Sequence, residues 1–351
     1  MGMIRGARSK SSPTIEDVAN LAGVSKSTAA RALANYGSVS PPVRARVAAA
    51  ALQLTYRRNA LARSMITGAT HTIGLVVADI ENPYFARSAR GIADTAHAAG
   101  YEVLLANSDE DPATERAAVR TLFEKRVDGL IVAPASTIEV PHFVELETHG
   151  VPVVQLDRAV PGVPADAVVV DNEEAAENAI SHLLALGHRR IALLTSQGLK
   201  HTNQARLAGY LRGMASAGMP VDDALIRMAE YRRESASAET IAVLSLPDPA
   251  TAIFTTDNLL SLGAFEGAQR AGFRVPDEVS LVGFDDLEWT TIVRPPLTVI
   301  AQPTYELGAT AARRLLARID GDDGPPEVVV LKTTFIIRNS TGPVPKHVKV
   351  R

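Results

Sequence analysis

Cysteine is absent from this chain of 351 residues. That excludes disulfides, thiolate zinc sites and a cysteine nucleophile. Aromatic residues are scarce at 5%, with one tryptophan. No apolar run approaches the roughly 20 residues that span a bilayer, so no membrane partner is expected. The N-terminal stretch MGMIRGARSKSS is basic and has no apolar segment behind it. It does not read as a secretory leader, and a cytoplasmic location is expected. Phosphate-cradling glycine loops of the GxGxxG or GxxxxGKS/T type are missing, as is a GxSxG nucleophile elbow. The eight histidines form no HxxxH cluster, and His182 and His188 read as helix-end and packing residues. Neither a metal, a cofactor nor a catalytic centre is therefore expected.

Acidic residues are almost missing from one end. Residues 1–67 hold ten Lys and Arg against Glu16 and Asp17 alone, a net of +8, so the remainder carries −11 of the overall −3. A basic head on an acidic body points to a polyanionic partner for the head.

Within that head, TIEDVANLAGVSKSTAARALAN reads as two short amphipathic helices around a turn at Ala22, Gly23 and Val24. Ile15, Val18 and Ala19 give the first an apolar face; Val24, Thr28, Ala29, Ala32 and Leu33 do so for the second. Thr14 and Ser25 are favoured N-caps. Two small helices around a glycine turn form a helix-turn-helix, whose second helix enters the major groove of DNA. Pro41 and Pro42 open a third helix, and Asn59 caps a short helix running to Met65.

From Thr72 onward, strand-length apolar runs alternate with amphipathic helices in two successive series. This pattern predicts parallel sheets covered on both faces and two similar subdomains. Ligands bind beyond the carboxyl ends of such strands. The loops at Asp79–Phe85, Asn107–Asp109, Asp157–Arg158, Ser196–Arg206, Thr256–Asn258 and Phe284–Asp286 are accordingly the candidate site. Asp171 and Asp257 also suit helix N-caps.

TIEDVANLAGVSKSTAARAL, YRRNALARSM, TIGLVVADIENPYF, LGHRRIALL, RLAGY and VSLVGFDDLEWTTIVRPPLTVIAQP, in that order, resemble the lactose/galactose-repressor (LacI/GalR) family of bacterial transcription regulators. The resemblance spans roughly residues 13–340. It implies an all-α helix-turn-helix head, a hinge helix and a periplasmic-binding-protein-like α/β body of two doubly wound parallel-sheet subdomains. The expected divisions are a disordered tail 1–12, the head 13–56, the hinge helix and linker 57–70, the body 71–340 and a tail 341–351. Within the body, 71–165 with 298–325 and 166–297 with 326–340 are the expected subdomains.

The resemblance also implies function. The chain would be a ligand-responsive repressor, binding a near-palindromic operator as a homodimer or higher oligomer, with a sugar or sugar derivative as effector. A solute-binding protein without a DNA role is the alternative. Lys26, Ser27 and Arg31 would read bases, and Thr14, Ser25, Thr28, Asn35 and Tyr56 would meet phosphates. Asn59, Ala62, Arg63 and Met65 would form the minor-groove hinge, with Met65 as the wedge between base steps. Tyr84, Phe85, Asp157, Arg158, Lys200, Thr202, Arg206, Asp257 and Asp285 would hold the effector. The order Asp257–Asn258 departs from the family's usual Asn–Asp and sets an acid where an amide usually faces ligand.

Overall fold

The structure, a computed structural model, describes residues 13–34, 36–56, 69–138, 140–196 and 201–345. Asn35, Lys200 and the hinge residues Asn59, Ala62, Arg63 and Met65 lie outside these, as do both expected tails except residues 341–345. The chain divides into two compact units at Thr70.

The first unit contains α1 (Ile15–Ala22), α2 (Lys26–Ala34) and α3 (Pro41–Gln53). Thr14 and Asp17 form a reciprocal capping box at the start of α1, and Gly23 ends it at φ 63°, a conformation glycine adopts without strain. The Ser25 hydroxyl accepts from Thr28 N at 3.2 Å and so opens α2. Val18, Ala19, Ala22, Ala29, Ala32, Val47 and Ala50 form the buried core, with Ile15, Val24, Leu33 and Tyr56 packed around it. Small alanines at the contacts let three short helices approach closely.

The second unit holds two six-stranded sheets. In the first, β1 (Thr72–Val77), β2 (Glu102–Asn107), β3 (Gly129–Val132), β4 (Val153–Leu156), β5 (Asp166–Val170) and β11 (Val328–Leu331) are ordered β11-β5-β4-β3-β1-β2. All its pairs are parallel. Helices α4 (Pro83–Ala98) and α12 (Thr304–Ile319) cover one face, and α5 (Pro112–Glu124) and α6 (Pro141–Thr148) cover the other. Gly91 and Gly308 allow α4 and α12 to touch backbone to backbone. A Cβ on Gly91 would lie 2.1 Å from Tyr305 O, and one on Gly308 would lie 2.0 Å from Ser88 O.

The second sheet is ordered β12-β10-β9-β8-β6-β7. Its strands are β6 (Ile191–Ser196), β7 (Ile226–Ala229), β8 (Ala252–Thr255), β9 (Ser280–Phe284), β10 (Thr298–Ala301) and β12 (Thr334–Ile336). Only the β10–β12 pair is antiparallel. Helices α7 (Asn172–Ala185) and α8 (His201–Ser216) pack on one face, and α9 (Arg233–Leu244) and α10 (Asn258–Arg270) on the other. The short α11 (Glu288–Ile292) follows β9.

The alternation of strands and helices stands as expected, but the subdomain boundaries do not. β5 pairs with β4, so residues 166–170 belong to the first sheet, where Val168 and Val170 complete its core. β10 pairs with β9 in the second sheet, although 298–325 was expected in the first; only α12 of that stretch returns to it. Likewise 326–340 is split, β11 joining the first sheet and β12 the second. The chain therefore crosses between subdomains after Val170, after Ala301 and after Leu331. Apolar periodicity marks a strand; it does not say which neighbour will hydrogen-bond to it.

Candidate functional site

On the head, Lys26 and Ser27 open α2 and are exposed. Arg31 lies one turn further, its Nε donating to Ser27 O at 3.3 Å. Lys26 Nζ stands 3.8 Å from Glu16 Oε2 with both side chains about two-thirds exposed (65% and 68%). Such a surface pair is worth little and is readily exchanged for another anion. Thr14 and Ser25 are exposed, while Thr28 and Tyr56 are half-buried. Thr28 shares its hydroxyl with Ser25 at 2.8 Å.

The larger site is a narrow polar cavity, with about 50 Å³ of free space, between the two sheets of the body at the carboxyl ends of their strands. Of the nine expected effector residues, all but the undescribed Lys200 line it. Asn82, Glu110, Ser196, Asn203, Tyr231, Asn258 and Gln302 join them. The loop rule already pointed to the stretches holding Asn82, Ser196, Asn203 and Asn258. Glu110 lies one residue past such a loop. Tyr231 and Gln302 escaped it because they follow β7, an edge strand with exposed Met228, and β10, whose place in the second sheet is not written in its sequence.

The first wall is built on Asn82, which caps α4 by accepting from Tyr84 N at 3.0 Å. This cap and Pro83 fix the helix start so that Tyr84 and Phe85 face inward, rings edge to face at 4.9 Å. The Tyr84 hydroxyl donates to Asp157 Oδ1 at 2.7 Å. Arg158 grips Glu110 with both terminal nitrogens, at 2.7 and 2.8 Å, and donates to Pro134 O at 2.8 Å. Burial works against the Arg158 charge, but Glu110 and Asp157 more than offset it and hold its pKa above the ordinary arginine value.

The opposite wall centres on Arg206, buried at 4% exposure. Its Nε donates to Asn172 Oδ1 at 2.7 Å, its Nη1 to Thr256 O, and its guanidinium carbon sits 3.5 Å over the Phe284 ring. Asp285 receives Gln302 Nε2 at 2.6 Å and Asn258 Nδ2 at 3.1 Å, one on each oxygen. Burial drives Arg206 down and Asp285 up in pKa, while each opposes the shift of the other. Asp257 accepts from Leu260 N at 2.9 Å, so it is both the N-cap of α10 and a cavity residue. Asn258 supplies the amide that the reversed Asp–Asn order had put in doubt. It also reaches across the cavity to Asn82 Oδ1 at 3.1 Å, and Asn82 Nδ2 donates to Tyr231 at 2.8 Å.

Asp157 and Asp285 follow β4 and β9 at φ 70° and 73°. Aspartate tolerates this left-handed conformation, which is concentrated at functional sites. Asp171 is the residue before α7 but makes no side-chain cap; it binds Thr333 N at 2.9 Å and Lys332 Nζ at 3.3 Å instead. His188 is buried among Thr251, Ser280 and Gly342 O, each at 3.0 Å, and His182 meets Thr341. Both are packing residues, as expected. Among the described residues no cluster suited to a metal ion occurs, and no helix is long and apolar enough to cross a membrane.

A basic helix-turn-helix followed by a two-lobed α/β body with a polar cavity defines a ligand-responsive DNA-binding regulator. Residues 14–59 match the bacterial regulatory proteins of the lacI family, and residues 70–339 match the periplasmic binding proteins and sugar binding domain of that family. The chain is 33% identical to the transcriptional regulator DegA of Bacillus subtilis, over 94% of this chain and 98% of that protein. The structure is similar to the lac repressor dimer bound to operator and the anti-inducer ONPF, with TM-score 0.85 at 27% identity, covering 94% of this chain and 99% of the other. It is also similar to a LacI-family regulator of Enterococcus faecium with bound ribose, with TM-score 0.70 at 31% identity over 78% and 99%. The chain belongs to the LacI family: it is a transcriptional regulator that binds operator DNA under control of a small molecule, and not an enzyme.

Proposed function

We propose that this regulator is a cytoplasmic repressor that grips a near-palindromic operator as a homodimer and responds to an uncharged monosaccharide. The observation that carries the effector class is the charge inside the cavity. Glu110, Asp157, Asp257 and Asp285 face Arg158 and Arg206, and both guanidiniums are already engaged by protein acceptors. An anionic sugar would meet an excess of carboxylate, whereas hydroxyl groups find acceptors in the acids and both donors and acceptors in Asn82, Asn203, Asn258 and Gln302. The ribose in the Enterococcus faecium relative is of that class. In the head, Lys26, Ser27 and Arg31 are the base readers, with Thr14, Ser25, Thr28, Asn35 and Tyr56 on phosphates. The hinge reading gives Met65 the wedge role, with Asn59, Ala62 and Arg63 around it.

A thermal-shift screen of neutral pentoses and hexoses beside their phosphorylated or carboxylated counterparts tests this reading. A bound effector at 100 times its Kd stabilises by about 2.7 kcal/mol. At least one neutral sugar should raise the melting temperature while its charged counterpart does not. Stabilisation by a sugar phosphate alone would show that the cavity charge has been misread.

A further inference from the structure

The Tyr84 side chain carries a consequence beyond lining the cavity. It is 5% exposed, and its hydroxyl lies on Asp157 Oδ1 at 2.7 Å. The other oxygen of Asp157 faces Arg158 Nε at 3.1 Å. Oδ1 thus has a hydrogen-bond donor in the protein, and Oδ2 is balanced by the guanidinium charge alone. The phenol cannot surrender its proton: burial, then the charge of Asp157, raise its pKa well above the ordinary tyrosine value, so it remains a donor. Tyr84 and Asp157 both line the cavity, so this bond is made at its wall. It therefore occupies the place and makes the bond that a ligand hydroxyl would take at this edge.

We propose that the Tyr84 hydroxyl stands in for a sugar hydroxyl at Asp157, so that the cavity accepts effectors lacking a hydroxyl at that edge. The proposal rests on the sugar reading above. The physical reason is one of unpaired groups. A site that needs a ligand hydroxyl rejects the analogue without it, because a buried polar group is then left without a partner. Tyr84 meets that need internally. Removing its hydroxyl transfers the need to the ligand and frees the space of one oxygen atom.

The test uses the full chain as wild type, Y84F and the double variant Y84F/D157N. Titration calorimetry compares D-ribose with 2-deoxy-D-ribose, D-glucose with 2-deoxy-D-glucose, and D-galactose with 6-deoxy-D-galactose. In Y84F the hydroxy-to-deoxy affinity ratio should rise at least tenfold for one pair, as expected for a hydrogen bond to a charged group. Y84F/D157N should return that ratio toward wild type, because a neutral amide costs far less to leave unpaired; asparagine also tolerates the positive φ at position 157. Ratios unmoved in Y84F, or raised as far in Y84F/D157N as in Y84F, overturn the role of Tyr84. If no sugar of the panel binds either wild type or Y84F, the sugar reading itself fails and this inference with it.

Discussion

At the scale of single residues, Asp285 shows how the cavity trades stability for binding. Burial raises its pKa in the folded chain above the unfolded value, against the opposing pull of Arg206, Gln302 and Asn258. A raised carboxyl pKa means that folding favours the protonated form. Its favourable contribution is complete below the ordinary value near 4 and is lost as pH rises through the raised value. D285N removes the ionisation while suiting the positive φ. The new amide can be met by Gln302, whose buried Oε1 has no hydrogen-bond partner and can be turned toward it. D285N should therefore unfold at a higher temperature than wild type at pH 7.5, and the gain should shrink as pH is taken down toward 4. It should also blunt the effector response. Equal melting temperatures at pH 7.5 would contradict the desolvation argument.

At the scale of elements, Asp166 ties three of them together. It stands at the start of β5 with its side chain fully buried, and takes Arg318 of α12 at 2.7 Å and Arg314 of α12 at 3.1 Å. It also accepts from Glu327 N, just ahead of β11, at 2.7 Å. Burial opposes its charge, but these partners together hold its pKa below the usual carboxylate value. The sign is opposite to that of Asp285: the stabilisation is present above the unfolded pKa and lost as pH falls through the lowered folded one. D166A removes the carboxylate that two mostly covered guanidiniums share and leaves them Asp322, Glu327 and loop carbonyls, so it should cost about 1–3 kcal/mol at pH 7 in urea unfolding. That cost should fall on acidification below about pH 4. A second element-level prediction concerns α4 and α12. G91A must push a methyl group into the Tyr305 carbonyl, so it should destabilise by about 1–3 kcal/mol. Because α4 presents Tyr84 and Phe85 to the cavity, the same variant should weaken effector binding; unchanged affinity would mean that the helix absorbs the strain at its other end.

Elements were the most legible part of the sequence. Thr14 caps α1 as expected, and Pro83 and Pro112 mark the starts of α4 and α5, where Asn82 and Asp111, just ahead of the proline, each accept a backbone N–H. The cavity followed from strand ends, and eight expected residues meet there. What stayed hidden was pairing. Nothing local to Thr298–Ala301 or Val328–Leu331 says which sheet each joins, because that choice is decided by cores assembled from residues far apart in the chain. Tyr231 stayed hidden for a related reason. The edge strand before it, Ile226–Ala229, breaks the apolar run with Arg227, which pairs with Glu239.

At the scale of the whole molecule, the helix-turn-helix head and the cavity proposed for the effector lie in different compact units. Any influence of one on the other must then be a coupling free energy, and such coupling is reciprocal. If the effector changes operator affinity by some factor, operator DNA must change effector affinity by the same factor. The +8 charge of residues 1–67 makes DNA affinity fall steeply with salt whatever the ligand state. Specific grip is the quantity the effector can tune. R206A removes a buried anchor of the cavity without touching the head. It should abolish the effector-dependent shift in a salt-controlled gel-shift assay while leaving operator affinity without effector within about threefold of wild type. M65G should do the converse, weakening specific operator binding while sparing the salt-dependent non-specific component, because a wedge acts on base steps and not on phosphates. An R206A protein that still answers to effector would place the coupling elsewhere than this cavity. Equal loss of specific and non-specific binding in M65G would remove the wedge from the mechanism, and the head helix α2 would then carry operator recognition alone.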